Sequence, residues 1–135
     1  MTESQIELVQ TTYKKVDAIS EVAAGIFYTK LFELDPSLKE TIFKETDIKA
    51  QGVKLMSMIK AAVVGLNNIE KLVPVLHSLS ERHVGYGVKT EHYATVGSAL
   101  IFTLSQGLGE DFTDEVKEAW LACYSLLSET MKKAA

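Results

Sequence analysis

Apolar residues recur at i, i+3, i+4 and i+7 through almost the whole chain, a period that admits helices and excludes sheets. The first stripe is Ile6, Val9, Tyr13 and Val16, with Thr2 and Gln5, or Ser4 and Glu7, placed as a capping box ahead of it. A second begins near Ser20, turns Ala23, Phe27, Leu31 and Leu34 inward, and stops at Asp35-Pro36. Proline there disfavours helical backbone at the residue before it. Ser37 to Phe43 is too short for a long helix and predicts a tight turn or 3₁₀ piece. Asp47 is placed to cap a third helix with Leu55, Ile59, Ala62, Val63 and Leu66 inward, broken at Asn67-Asn68. Ile69, Leu72, Leu76, Leu79 and His83 make the next stripe. Because proline is tolerated only near a helix start, Pro74 makes 69–73 a lead-in and 74–84 the helix, ended by Gly85 and Gly87. Thr90 opens a helix with Tyr93, Val96, Leu100 and Leu104 inward, closed by Gly107 and Gly109. Thr113 caps the last, with Val116, Trp120, Cys123, Leu127 and Met131 inward. No alternating strand pattern competes. The expectation is an all-α fold of six to seven helices in one domain, residues 1–135.

Composition narrows the function. Fourteen basic against 18 acidic residues leave a net charge of −4, with no surplus to neutralise phosphates, so nucleic acid is not expected as a partner. Arg82 is the sole arginine, which further disfavours forked phosphate contacts. A single cysteine, Cys123, excludes a disulfide framework and a multi-cysteine metal site. No apolar run is long enough for a membrane span, and MTESQIELVQ is not a signal peptide, so no membrane association and a reduced cytoplasmic setting are expected. Whether the chain is a monomer or homodimer is not readable from the pattern.

The most informative residue is His83, on the same stripe as Leu72, Leu76 and Leu79 and followed by a glycine-rich turn. An imidazole on an apolar face needs a partner, because desolvation is otherwise costly. Taken alone, it reads more simply as a satisfied core histidine than as a ligand. Zinc would need three or four nitrogen or sulfur ligands, and neither His77, off the stripe, nor His92, at a helix start beside Glu91, supplies them. Haem iron needs only one protein ligand and an apolar slot.

With that in view, the chain resembles the globin family from about Ile6 to Met131, in particular single-domain bacterial haemoglobins related to flavohaemoglobin haem domains, and neuroglobins. The resemblance rests on the order and spacing of several stretches: Phe27 to Phe32, the Asp35-Pro36 corner leading to Phe43, Gln51 to Leu55, Arg82 to Val88, His92 to Gly97, and Ala119-Trp120 with Tyr124. It implies haem b as cofactor and His83 as the proximal iron ligand, with Nδ1–H donating to a backbone carbonyl one turn earlier, such as that of Leu79. It places Phe43 on the porphyrin face, Leu55 in the ligand cavity, and Val88 and Val96 in the proximal wall. Phe43 and Leu55 are otherwise ordinary core residues.

Tyr28 and Gln51 match the positions that contact the gas ligand. Without the resemblance, Tyr28 is a core tyrosine with a surface hydroxyl and Gln51 an exposed early-helix residue. With it, the phenol O–H is a donor to bound O₂, and the Gln51 amide either donates or holds the phenol. Either residue could instead ligate ferric iron. Tyr93 matches a tyrosine that works with a late-helix glutamate to make the proximal histidine more electron-donating. Here Glu129 falls short of that glutamate's spacing from Trp120, so the strong proximal push is not expected and Tyr93 is open to a structural role alone.

The implied function is reversible binding of O₂, and of NO or CO. Dioxygenation of NO to nitrate is a second activity, needing a separate reductase because no flavin or nicotinamide domain accompanies the globin. The alternative is a haem-free globin-like sensor or interaction module. Attachment of a bilin to Cys123 competes poorly with its reading as a small buried thiol on the inward stripe.

Overall fold

Thr2 starts α1 (Glu3–Asp17). Its hydroxyl accepts the Gln5 amide at 3.1 Å, and Gln5 Oε1 accepts the Thr2 amide at 3.0 Å. Two donors that would have no partner inside the helix are thereby satisfied. The alternative pair, Ser4 and Glu7, lies within the helix. The computed structural model describes residues 1–41, 43, 47–85 and 90–134, with backbone alone at 83–85, 90, 133 and 134.

After α1 come α2 (Ser20–Leu34), α3 (Ser37–Glu40), α4 (Ile48–Val64), α5 (Ile69–Gly85), α6 (Thr90–Leu108) and α7 (Asp114–Ala134). Six of these seven have 15–21 residues and α3 is a single turn. Two of the expected caps are in place. Asp47 Oδ1 accepts the amides of Lys49 and Ala50 at 3.1 and 3.3 Å, and Thr113 Oγ1 accepts that of Val116 at 3.2 Å. Gly109, at φ +55°, follows α6 with a left-handed backbone that a side chain would strain.

Three expectations are corrected. The helix expected to start at Pro74 starts at Ile69, continuing directly from a 3₁₀ turn over Gly65–Asn68. Pro74 offers no N–H to the Glu70 carbonyl, but both residues lie on the exposed face, where solvent has access. The segment after Pro36, expected as a tight turn or 3₁₀ piece, forms a single α-helical turn over Ser37–Glu40 that buries Leu38. Leu34, expected inward, is 44% exposed because the buried row of α2 ends one turn earlier, at Leu31.

Packing pairs α1 with α7, α2 with α6, and α5 with α7, while α4 lies against α1 and α2. One core cluster joins Val9, Tyr13 and Val16 of α1 to Leu104 of α6 and Trp120 of α7. Trp120 Nε1 donates to Thr12 Oγ1 at 2.9 Å, and that hydroxyl donates to the Leu8 carbonyl at 2.7 Å. No polar atom of this buried α1–α7 contact is therefore left without a partner. Where α4 crosses α2, a Cβ on Gly52 would lie 2.9 Å from Ala24 Cβ, so this approach requires glycine. Among the described residues, no helix is long and apolar enough to cross a membrane.

Candidate functional site

Helices α4 and α5 follow one another in the chain but pack on different partners, α4 on α1 and α2, α5 on α7. Their facing rows border a slot rather than a closed contact. Leu55, Ile59 and Ala62 of α4 lie on one side, and Leu72, Leu76 and Leu79 of α5 on the other. Phe27, Val96, Leu100 and Trp120 complete the wall of an apolar cavity of about 170 Å³. A dry cavity of roughly 150 Å³ accepts a benzene-sized guest, so a diatomic gas fits with room to spare.

Beside the slot sits an aromatic cluster built by α2 and the segment after α3. Tyr28 meets Phe27 edge-on with ring centroids 5.1 Å apart and Phe43 at 5.7 Å, and Phe32 and Phe43 are 5.5 Å apart. Leu55, Val96 and Leu100 belong both to this cluster and to the cavity wall, so Tyr28 and Phe43 lie next to the slot. The Tyr28 side chain is buried, and burial pushes its phenol up to about 12, with a hydrogen-bonding contribution from Gln51 pulling the other way. At neutral pH Tyr28 is therefore a protonated donor with Gln51 as its polar neighbour.

On the opposite side, α5 runs past Leu79 through His83 to Gly85. The His83 side chain and all of Val88 lie outside the described residues. Tyr93, half-buried, lines the cavity and is held by α7 in two ways. Tyr124 donates its hydroxyl proton to the Tyr93 carbonyl, and Lys132 Nζ stands 5.6 Å from the centre of the Tyr93 ring. Glu129 pairs with Lys132 at 3.5 Å rather than with Tyr93, so the charge over that ring is a cation. Burial pushes the Tyr124 phenol up, and the neighbouring Tyr93 adds to the shift.

The Tyr124 contact depends on Gly97. A Cβ there would lie 2.7 Å from Tyr124 Cε2, on a ring wedged between α6 and α7. Gly97→Ala should therefore destabilise the fold by about 1–3 kcal/mol, as overpacking does. Urea unfolding followed by helical ellipticity checks it, and an unchanged midpoint would show that the ring can yield freely.

Of the residues singled out from the sequence, Leu55, Tyr93 and Val96 line the cavity. Tyr28 and Phe43 lie in the adjoining cluster, with Gln51 beside Tyr28. His77 is exposed, whereas His92, read as a helix start, is half-buried on the cavity wall. Met58 and Phe27 are wall residues that the sequence reading did not assign to a site. The spacing of Leu55, Met58, Ile59 and Ala62 carried the signal for the first. Nothing local carried one for the hydroxyl of Ser80, which is fully buried and donates to the Met131 carbonyl at 2.7 Å. Cys123 also faces the cavity, and burial pushes its thiol up to about 12, which leaves little of the thiolate that covalent attachment of a pigment needs.

Among the described residues, no three of His, Cys, Asp and Glu come together as a metal site. A metal held by the described part of this slot has to bring most of its own ligands, as the iron of a tetrapyrrole does. The wall chemistry fits such a group: one apolar face from α4, another from α5, and a tyrosine donor to one side. The described space of about 170 Å³ is smaller than a tetrapyrrole, so seating one requires α4 and α5 to move apart.

Among the described residues the fold is all-helical, with an apolar slot between two helices, an architecture compatible with a globin. The chain matches the globin family over residues 26–131 and belongs to it. It is 28% identical to Neuroglobin-1 of Oncorhynchus mykiss across 98% of this chain and 91% of that protein. It is 31% identical to the neuroglobin of Danio rerio over 80% of this chain and 76% of the relative. A flavohemoprotein of Bacillus subtilis is 28% identical over 92% of this chain, which spans only 31% of that longer protein. The family is one of haem proteins that bind small gas ligands.

Proposed function

We propose that this chain binds haem b in the α4–α5 slot and holds O₂ reversibly there, with NO and CO as competing ligands. The observation that carries this reading is a buried, protonated Tyr28 with Gln51 beside it, next to an otherwise apolar cavity in a member of the globin family. His83 is the residue assigned to hold the iron, since it follows Leu79 on the stripe that borders the slot. Haem, when bound, supplies the iron centre at which a diatomic ligand binds and releases. The rest is the work of side chains. Leu55, Val96 and Leu100 exclude water and leave an apolar path for gas. Phe43 covers one edge, and Tyr28 donates its hydroxyl proton toward the ligand, where negative charge accumulates. Gln51 keeps the phenol oriented.

Dioxygenation of nitric oxide is the second activity we assign. One NO, one O₂ and one electron give one nitrate, so each turnover consumes an electron that a reductase supplies. The flavohemoproteins among the relatives are the support for this pairing.

Titration of the purified protein with haemin tests the core of the reading. One equivalent should produce a Soret band and raise the melting temperature, because a ligand that binds only the folded state stabilises it. A chain that stays colourless and unshifted would point instead to a haem-free globin-like module.

A further inference from the structure

Gly25 sits inside α2, and neither packing nor backbone accounts for it. A Cβ added there would meet nothing within 4 Å, and its φ is not in the left-handed region. Glycine is the poorest residue for a helix interior apart from proline, so the chain accepts a cost at a position where alanine would fit. What Gly25 borders is a groove of about 830 Å³ between α2 and α4. Its rim is charged, carrying Glu21, Lys49 and an Asp17–Lys60 pair at 3.4 Å. Its floor includes Gly52, Met56 and Tyr28. Tyr28 therefore borders two spaces of different character. Its aromatic cluster adjoins the apolar slot, and the residue itself lines this groove with its charged rim, which does not share its lining with the slot.

We infer that the α2–α4 groove is the route by which water and protons reach Tyr28, separate from the slot that admits gas, and that Gly25 keeps this route open. The separation has a physical basis. An apolar slot stays dry and favours diatomic gases, whereas a groove lined by charges and hydroxyls holds water. A tyrosine that borders the groove and adjoins the slot can exchange its hydroxyl proton on the groove side without water entering the slot. The purpose given to this route rests on the reading of Tyr28 as the ligand-side donor, but the route itself does not.

Two plugs test it. Gly25→Leu projects a side chain into the groove, and Val53→Trp closes the rim from α4, where Val53 is 67% exposed. The probe is the hydroxyl proton of Tyr28 in the CO-bound protein, assigned by its loss in Tyr28→Phe and followed by NMR exchange with solvent. Either plug should slow exchange by roughly tenfold or more, because exchange then waits on local opening of the fold. Gly25→Ala should exchange at the wild-type rate and melt at a higher temperature. Wild-type exchange in both plugged variants would overturn the proposal. So would equal slowing by Val75→Trp, which narrows the slot from α5 and would put the path there. If Tyr28→Phe leaves O₂ release unchanged, the donor role fails while the exchange result still decides the route.

Discussion

Tyr28→Phe should release O₂ about 10- to 100-fold faster than the parent protein, the loss of one hydrogen bond to a polarised ligand worth roughly 1.5–3 kcal/mol. The size of the effect follows from where the phenol sits. It is 4% exposed and adjoins a cavity wall of Leu55, Val96 and Leu100, apolar side chains that offer no other hydrogen-bond donor. The substitution removes one oxygen from a ring packed on Phe27 and Phe43, so shape is kept and the change in rate reports the hydrogen bond. Stopped-flow displacement of O₂ by CO measures it. The phenol is pushed up to about 12, so it keeps its proton through the neutral range. The O₂ dissociation rate of the parent protein should accordingly be level between about pH 6 and pH 9, since an ordinary tyrosine at about 10 is already protonated there and burial moves it further away. A Tyr28→Phe rate equal to that of the parent would remove this residue from the mechanism.

His83→Ala should lose haem on desalting at neutral pH. The weakening should exceed about a hundredfold, because even the outer partners of a metal ligand are worth roughly 10- to 100-fold in affinity. Two potential replacements are unsuited to the task. His77 is exposed on α5, and Cys123 carries a thiol pushed up to about 12 and so remains mostly protonated. His92 borders the cavity and is the residue to watch. If His83→Ala keeps a full Soret band while His92→Ala loses it, the ligand has been assigned to the wrong helix. Addition of free imidazole to His83→Gly should restore the band, which separates loss of the ligand from loss of the fold.

Much of the architecture was legible from local pattern because caps and inward rows are local physics. Thr2 with Gln5, Asp47 and Thr113 each satisfy amides within three residues of themselves, so the helix starts could be read directly. The misreading at Pro74 came from treating a missing N–H as a helix boundary. An exposed carbonyl one turn earlier makes that loss tolerable, and exposure is not a local property. Leu34 went wrong for a related reason: the apolar period runs on to the end of α2, but the neighbours that would bury it do not.

The candidate site was legible as residue types rather than as an arrangement. Tyr93 illustrates the difference. Its place on an inward row was readable, but the Lys132 ammonium over its ring and the Tyr124 hydroxyl on its carbonyl depend on the register of α7 against α6. That register is held where Gly97 lets the Tyr124 ring approach, a contact between residues with no sequence signal linking them.

The order of amino acids, then, determined by itself the helical period, the helix starts that carry their own side-chain caps, and most of the inward rows, since each depends on groups within a turn or two of one another. Only the folded chain decided that α4 and α5 border an apolar slot, that Gln51 stands beside Tyr28, and that a groove with a charged rim borders Tyr28 from α2 and α4. Crossing distances are set by side chains from separate helices meeting, and at Gly52 and Ala24 that distance comes down to the absence of a single carbon.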